Sequence, residues 1–181
     1  DEVHVWLWDV AETIAPRDVS RRANTQLLRM LARYTGAVPP ALLRGEHGKP
    51  YLPDAGFPQF NLSHGGRCML FAFSKQQAIG VDVDTLSRRH EPLELARRFF
   101  GEEESRALEN LDASLRGAAF MRLWTGKEAV LKALGMGLSF GLHRLRFELD
   151  AQGRAGGLQG IDVEAGATGD WQLHRFEPTS G

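Results

Sequence analysis

The patterned segments of this 181-residue chain come in blocks and not in strict alternation, which limits the folds open to it. Val3-His4-Val5-Trp6-Leu7-Trp8 is β-rich and predicts a short buried strand. Asn24–Tyr34 carries Leu27, Leu28, Leu31 and Tyr34 at helical spacing, with Gly36 and Pro39-Pro40 as stops. Gly45–Phe60 is a Gly/Pro-rich loop. Arg67–Ser74 and Ala78–Asp84 have strand character, and the polar Lys75-Gln76-Gln77 between them fits a hairpin. Leu93–Phe100 predicts a helix, and Gly101-Glu102-Glu103-Glu104 opens another with acids where the helix dipole favours them. Leu115–Leu134 is the longest helical stretch and is closed by Gly135. Strands are expected after it at His143–Leu149, Leu158–Val163 and Trp171–Phe176.

Helices grouped with antiparallel strands imply an α+β fold, not a doubly wound parallel sheet. The recurrence of helix followed by strands points to two pseudo-duplicated halves, residues 1–84 and 85–181, each with helices packed on a small antiparallel sheet. A chain of this size buries about 70% of its unfolded surface and needs no disulfide or metal staple. The longest apolar run is Cys68–Phe73, far short of the roughly 18 residues of a membrane helix. Cys68 is the only cysteine, so no internal disulfide or Cys-rich metal site is available. A net charge of −1 argues against a broad nucleic-acid surface. It leaves room for one small polyanion met by a local cluster such as Arg21-Arg22 or Arg97-Arg98. The acidic N-terminus lacks the basic stretch of a secretory leader, and a start at Asp1 leads us to expect residues before it. Cytoplasmic placement is the default.

Three motifs carry candidate chemistry. In Gly80-Val81-Asp82-Val83-Asp84, strand alternation would put Asp82 and Asp84 on one face. Paired carboxylates there either hold a hard cation such as Mg²⁺ or Mn²⁺, or simply end a strand in water. In Trp124-Thr125-Gly126-Lys127-Glu128-Ala129-Val130-Leu131-Lys132, residues Trp124, Glu128 and Lys132 share a helical face. Taken alone, that Glu-Lys pair is an ordinary surface pair of about 0.3–0.5 kcal/mol. Gly126 inside the helix hints at close packing or a special backbone need. Gly48-Lys49-Pro50 is followed by Phe60-Asn61-Leu62-Ser63-His64-Gly65-Gly66, where glycines allow close approach of backbone N–H groups to an anion. The same residues also suit a plain polar turn. No Gly-x-Ser-x-Gly elbow surrounds Ser63, and no Walker loop or dinucleotide fingerprint is present.

In this order the motifs resemble the phosphopantetheinyl transferases of the surfactin-synthetase type, over roughly residues 45–150. Ala96-Arg97-Arg98-Phe99-Phe100 followed by Glu103 extends the resemblance. It implies transfer of the 4′-phosphopantetheine arm of coenzyme A to a serine of an apo acyl or peptidyl carrier protein, with release of 3′,5′-ADP. It implies Mg²⁺ (or Mn²⁺) held by Asp82, Asp84 and Glu128, with Glu128 also as general base. Asp84 stands where the family often has Glu, which leaves room for a water between it and the metal. Lys132 would contact phosphate and protonate the departing ADP, with Lys127 adding charge beside it. Lys49, Ser63 and His64 would bind coenzyme A, and Arg21 or Arg22 its phosphates. A site between two halves of one chain implies a monomer. Arg88, Arg89, Arg97 and Arg98 are candidates to steer an acidic carrier helix. Both ends are shorter than the family leads one to expect, as if segments were missing. The competing readings are another Asp-x-Asp transferase acting on a nucleotide substrate, and a non-catalytic carrier-binding relative.

Overall fold

The computed structural model describes residues 2–10, 16–53, 56–85, 91–162 and 166–176. It divides into two compact units, Asp1–Val83 with Ala129–Gly137, and Asp84–Glu128 with Leu138–Gly181. Both mix helices with small antiparallel sheets, so the α+β expectation stands.

In the first unit, β1 (Val3–Asp9), β4 (Gln59–Gly65) and β5 (Cys68–Ser74) form an antiparallel sheet in the order β1-β5-β4. Gly66, at φ +58°, supplies the left-handed residue of the tight turn between β4 and β5. Helix α1 (Pro16–Thr35) buries Ala23, Leu27 and Leu31, one turn apart, against Met69, Phe71 and Phe73 of β5. The opposite face of β5, Leu70 and Ala72, packs on Val81. Strands β2 (Leu43–Arg44) and β3 (Pro50–Tyr51) make a small hairpin, with β2 just before the loop expected over residues 45–60 and β3 inside it.

Two expected strands are absent, and a third forms without its expected burial. Residues 78–84 hold no strand, although a hairpin with β5 was expected. The reason is that β5 is already paired on both edges, by β1 and by β4. The N–H groups of Val81 and Val83 turn instead to side chains of β4: Asn61 Oδ1 at 2.9 Å and Ser63 Oγ at 3.3 Å. Trp171–Phe176 also lacks strand structure. β1 forms as expected but is not buried: at the sheet edge, Val3, Val5, Trp6 and Leu7 are 42–52% exposed. The tip of Trp6 is anchored by its Nε1–H, which donates to the Tyr34 hydroxyl at 2.9 Å.

In the second unit, α2 (Pro92–Phe99) starts on proline, which fits a first turn because no N–H is needed there. Helix α3 (Glu102–Asn110) is capped by Glu104, whose Oε2 accepts the Gly101 N–H at 3.2 Å. β6 (Arg146–Leu149) pairs with β7 (Ala155–Gly160). Phe100, Phe120 and Trp124 pack ring to ring at 5.2–6.2 Å between centroids.

Helix α4 (Ala113–Leu134) supplies residues to both units. Gly126 sits within it because a Cβ there would stand 3.3 Å from the Phe147 ring, so close packing is the explanation. Gly135, at φ +73°, ends it. The Met136 and Gly135 N–H groups turn back to the Leu131 and Lys132 carbonyls. Among the described residues no helix is long and apolar enough to cross a membrane.

Candidate functional site

Strand β4 turns Asn61 and Ser63 inward while His64 remains exposed. Both inward side chains hold the segment 80–83, and that segment presents Asp82. Asp82 Oδ1 accepts the Ser63 hydroxyl at 2.7 Å and the Lys132 ammonium at 2.6 Å. Lys132 Nζ also donates to Ser63 Oγ at 2.8 Å. The Asp82 side chain is 9% exposed and that of Lys132 29%, so this charge-assisted contact is screened on one side and open on the other. Ser63, Asp82 and Lys132 come from three separate sequence motifs, and the first unit brings them together.

The segment lies directly on the backbone of α4. A Cβ added at Gly80 would stand 1.9 Å from the Ala129 carbonyl oxygen and 2.5 Å from the Ala133 nitrogen. Only glycine fits there, which accounts for the first residue of the Gly80–Asp84 motif. Lys49 reaches the same junction. Its ammonium donates to the carbonyls of Ile79 at 3.2 Å and Ala133 at 3.0 Å. Burial of the charge holds the Lys49 pKa below the ordinary lysine value.

A cleft of about 210 Å³ opens beside β4, lined by Ser20, Asn24, Arg44, Pro50, Leu62 and His64 among others. Arg44 was missed in the sequence. Its position just before the Gly45–Gly48 turn was the available signal, since hairpin pairing sets Arg44 across from Pro50. Arg44 Nη1 donates to the Gly48 carbonyl at 2.9 Å, which ties it to that turn. Arg21 and Arg22 are exposed on α1 and do not line the cleft. Arg21 pairs with Asp18 at 3.0 Å.

In the second unit, Lys127 is fully buried and its ammonium lies 2.7 Å from Glu104 Oε2. It also donates to the carbonyls of Leu142 and Leu145. Glu104 Oε1 in turn accepts the Phe147 N–H at 2.9 Å. Burial pushes the Lys127 pKa down while the Glu104 carboxylate pulls it back up. This arrangement joins α3, α4 and the start of β6. The acid quoted from the sequence in this region, Glu103, is exposed and faces Arg146 at 3.6 Å. Its neighbour Glu104 is the buried one, because it falls on the inner face of α3 with Ser105 and Leu108. Glu128 is half-buried on α4, one turn before Lys132. Asp84 Oδ1 accepts the Thr85 N–H at 2.7 Å. Arg88 and Arg89 lie outside the described residues.

The oxygen donors of Asp82, Asp84 and Glu128 have the right chemistry for a hard cation. Yet among the described residues no three of His, Cys, Asp and Glu gather as a set that would hold a metal ion. Asp82 Oδ1 is instead engaged by Lys132 and Ser63.

Comparison with known proteins bears on the family of the chain. A Synechocystis sp. protein is 40% identical over 136 residues, which is 72% of this chain and 55% of that relative. The 4′-phosphopantetheinyl transferase Sfp of Bacillus subtilis is 37% identical over 109 residues, 60% of this chain and 47% of Sfp. The 4′-phosphopantetheinyl transferase HetI of Nostoc sp. is 32% identical over 169 residues, 77% of this chain and 71% of HetI. The chain thus spans about half the length of the first two relatives. A family model matches residues 78–175, a stretch that takes in Asp82, Asp84, Lys127, Glu128 and Lys132. With more than half of its residues inside that match, the chain belongs to the 4′-phosphopantetheinyl transferase superfamily.

Proposed function

We propose that this chain transfers the 4′-phosphopantetheine arm of coenzyme A to a serine of an apo acyl or peptidyl carrier protein. The carrier serine oxygen attacks the pantetheine-bearing phosphorus. The P–O bond to the bridging oxygen breaks, and 3′,5′-ADP leaves with that bond's electrons. The observation that carries the reading is the Lys132 ammonium, held at 2.6 Å on Asp82 in the same unit as the Arg44–His64 cleft. A fixed ammonium is suited to neutralise charge that grows on a pyrophosphate as it is cleaved, and it has a proton to give the leaving oxygen. The cleft offers a guanidinium and an imidazole to the phosphate of the nucleotide end. Glu128 is the proposed general base for the carrier hydroxyl. Asp84 and Glu128, with Asp82, are the carboxylates proposed for Mg²⁺ or Mn²⁺, which would supply charge at the pyrophosphate when bound.

The two pseudo-duplicated halves, a monomeric state and cytoplasmic placement belong to the same reading. The free Cys68 is consistent with a reducing compartment. The test is incubation with coenzyme A, Mg²⁺ and an apo carrier protein, read by mass spectrometry of the carrier. A gain of one phosphopantetheine arm is expected. Coenzyme A binding without any gain would favour a non-catalytic relative, and neither binding nor gain would overturn the reading.

A further inference from the structure

The Lys49 ammonium is spent on backbone. It bonds the carbonyl of Ile79, three residues before Asp82, and that of Ala133, one residue after Lys132. Its stem runs beside the helix end, with Cδ 3.7 Å from where a Cβ of Gly135 would stand. Ile79 and Ala133 belong to the two segments whose functional contact is Asp82 to Lys132. Between these ties Gly80 lets backbone rest on backbone. A cation at the C-terminal carbonyls of a helix is also favoured by the helix dipole. The cleft that offers Arg44 and His64 is not lined by Lys49.

From this geometry we propose that Lys49 is a positioning residue. It clamps residues 79–82 to the last turn of α4, so fixing Asp82 against Lys132, and it does not hold a phosphate of coenzyme A. The kinetic half of this proposal rests on the transferase reading above, whereas the clamp itself does not.

The experiment compares wild type with Lys49→Met, which keeps the stem and removes the ammonium. Amide hydrogen exchange, read without coenzyme A, should accelerate about tenfold or more at Val81 and Val83 while β5 amides stay protected. With an apo carrier, kcat should fall about tenfold for coenzyme A and for 3′-dephospho-coenzyme A alike, with KM within about twofold of wild type. Lys49→Arg, which retains charged donors, should recover part of the exchange protection and of kcat. It carries the same comparisons if the methionine variant does not fold. Unchanged exchange at Val81 and Val83 would overturn the clamp. So would a KM that rises about tenfold for coenzyme A but not for the 3′-dephospho form, since that marks a phosphate ligand. Failure of wild type to modify any carrier would remove the transferase reading and leave the exchange result to decide the clamp.

Discussion

Asp82 has two tasks in the first unit: it accepts a serine hydroxyl and it holds an ammonium in place. Asp82→Ala should therefore lower the transfer rate by about 10²–10³-fold, the scale of losing a fixed electrostatic group at a reacting centre. Circular dichroism should remain that of the wild type, because Lys132 is exposed enough to rehydrate. The mass gain of the carrier over time checks the first point. Lys49 has a pH signature. Its pKa is depressed by burial below the ordinary 10.5. Between the depressed value and 10.5 the unfolded chain holds the extra proton, so this group makes stability rise with pH across that window. Denaturant midpoints measured through the alkaline range should show that increment in wild type and not in Lys49→Met. Lys127 is more demanding. Lys127→Met strands the Glu104 carboxylate in the interior and should cost about 3–5 kcal/mol. Glu104→Leu/Lys127→Met should regain only part of this, because the Phe147 N–H and the Leu142 carbonyl lose their partners as well. Urea unfolding of the wild type and the two variants measures both.

The contact between residues 79–83 and α4 is built at the scale of elements. Gly80→Ala forces a methyl into the Ala129 carbonyl, which is backbone and has no rotamer to yield. Destabilisation above about 3 kcal/mol is expected, beyond ordinary overpacking, and thermal unfolding would register it. The helices were legible in the sequence because their apolar spacing and stop residues are local signals. α2 and α4 begin and end within a few residues of expectation and α3 opens where expected, whereas α1 starts at Pro16, well before the expected Asn24. The strand that the pattern predicts over 78–84 is absent for a reason no local pattern reveals. Val81 and Val83 alternate with polar residues as an edge strand would, but whether an edge is free depends on β1 and β4, which are distant in sequence. The motif residues Ser63, Asp82 and Lys132 were found by type and spacing. What each one touches was not, and so Lys49, assigned to coenzyme A by resemblance, lies instead on two carbonyls. Arg44 lies in the cleft beside His64, where the pairing of Arg44 with Pro50 sets it, and that pairing is not visible in the local pattern.

Taken whole, the molecule carries a net charge of −1, so any attraction to an acidic carrier has to come from local groups. Arg97 is paired with Glu109 at 2.7 Å, while the Arg98 guanidinium lies over the Phe99 ring at 5.0 Å. Arg98 is thus the better candidate for steering of the two. Arg98→Ala should lower kcat/KM for the carrier severalfold at low ionic strength and make little difference at high salt. A titration with sodium chloride checks this. The division of the chain has a further consequence, which concerns the order of synthesis. The first unit needs Ala129–Gly137 to be complete. On a ribosome, residues 1–83 emerge long before those nine, so the N-terminal unit cannot finish folding when its own continuous sequence is out. Until α4 arrives, Gly80 has no backbone to rest on, and Lys49 lacks the Ala133 carbonyl. The nascent N-terminal segment must therefore wait, with Asp82 lacking its ammonium partner, for the helix that carries Lys132.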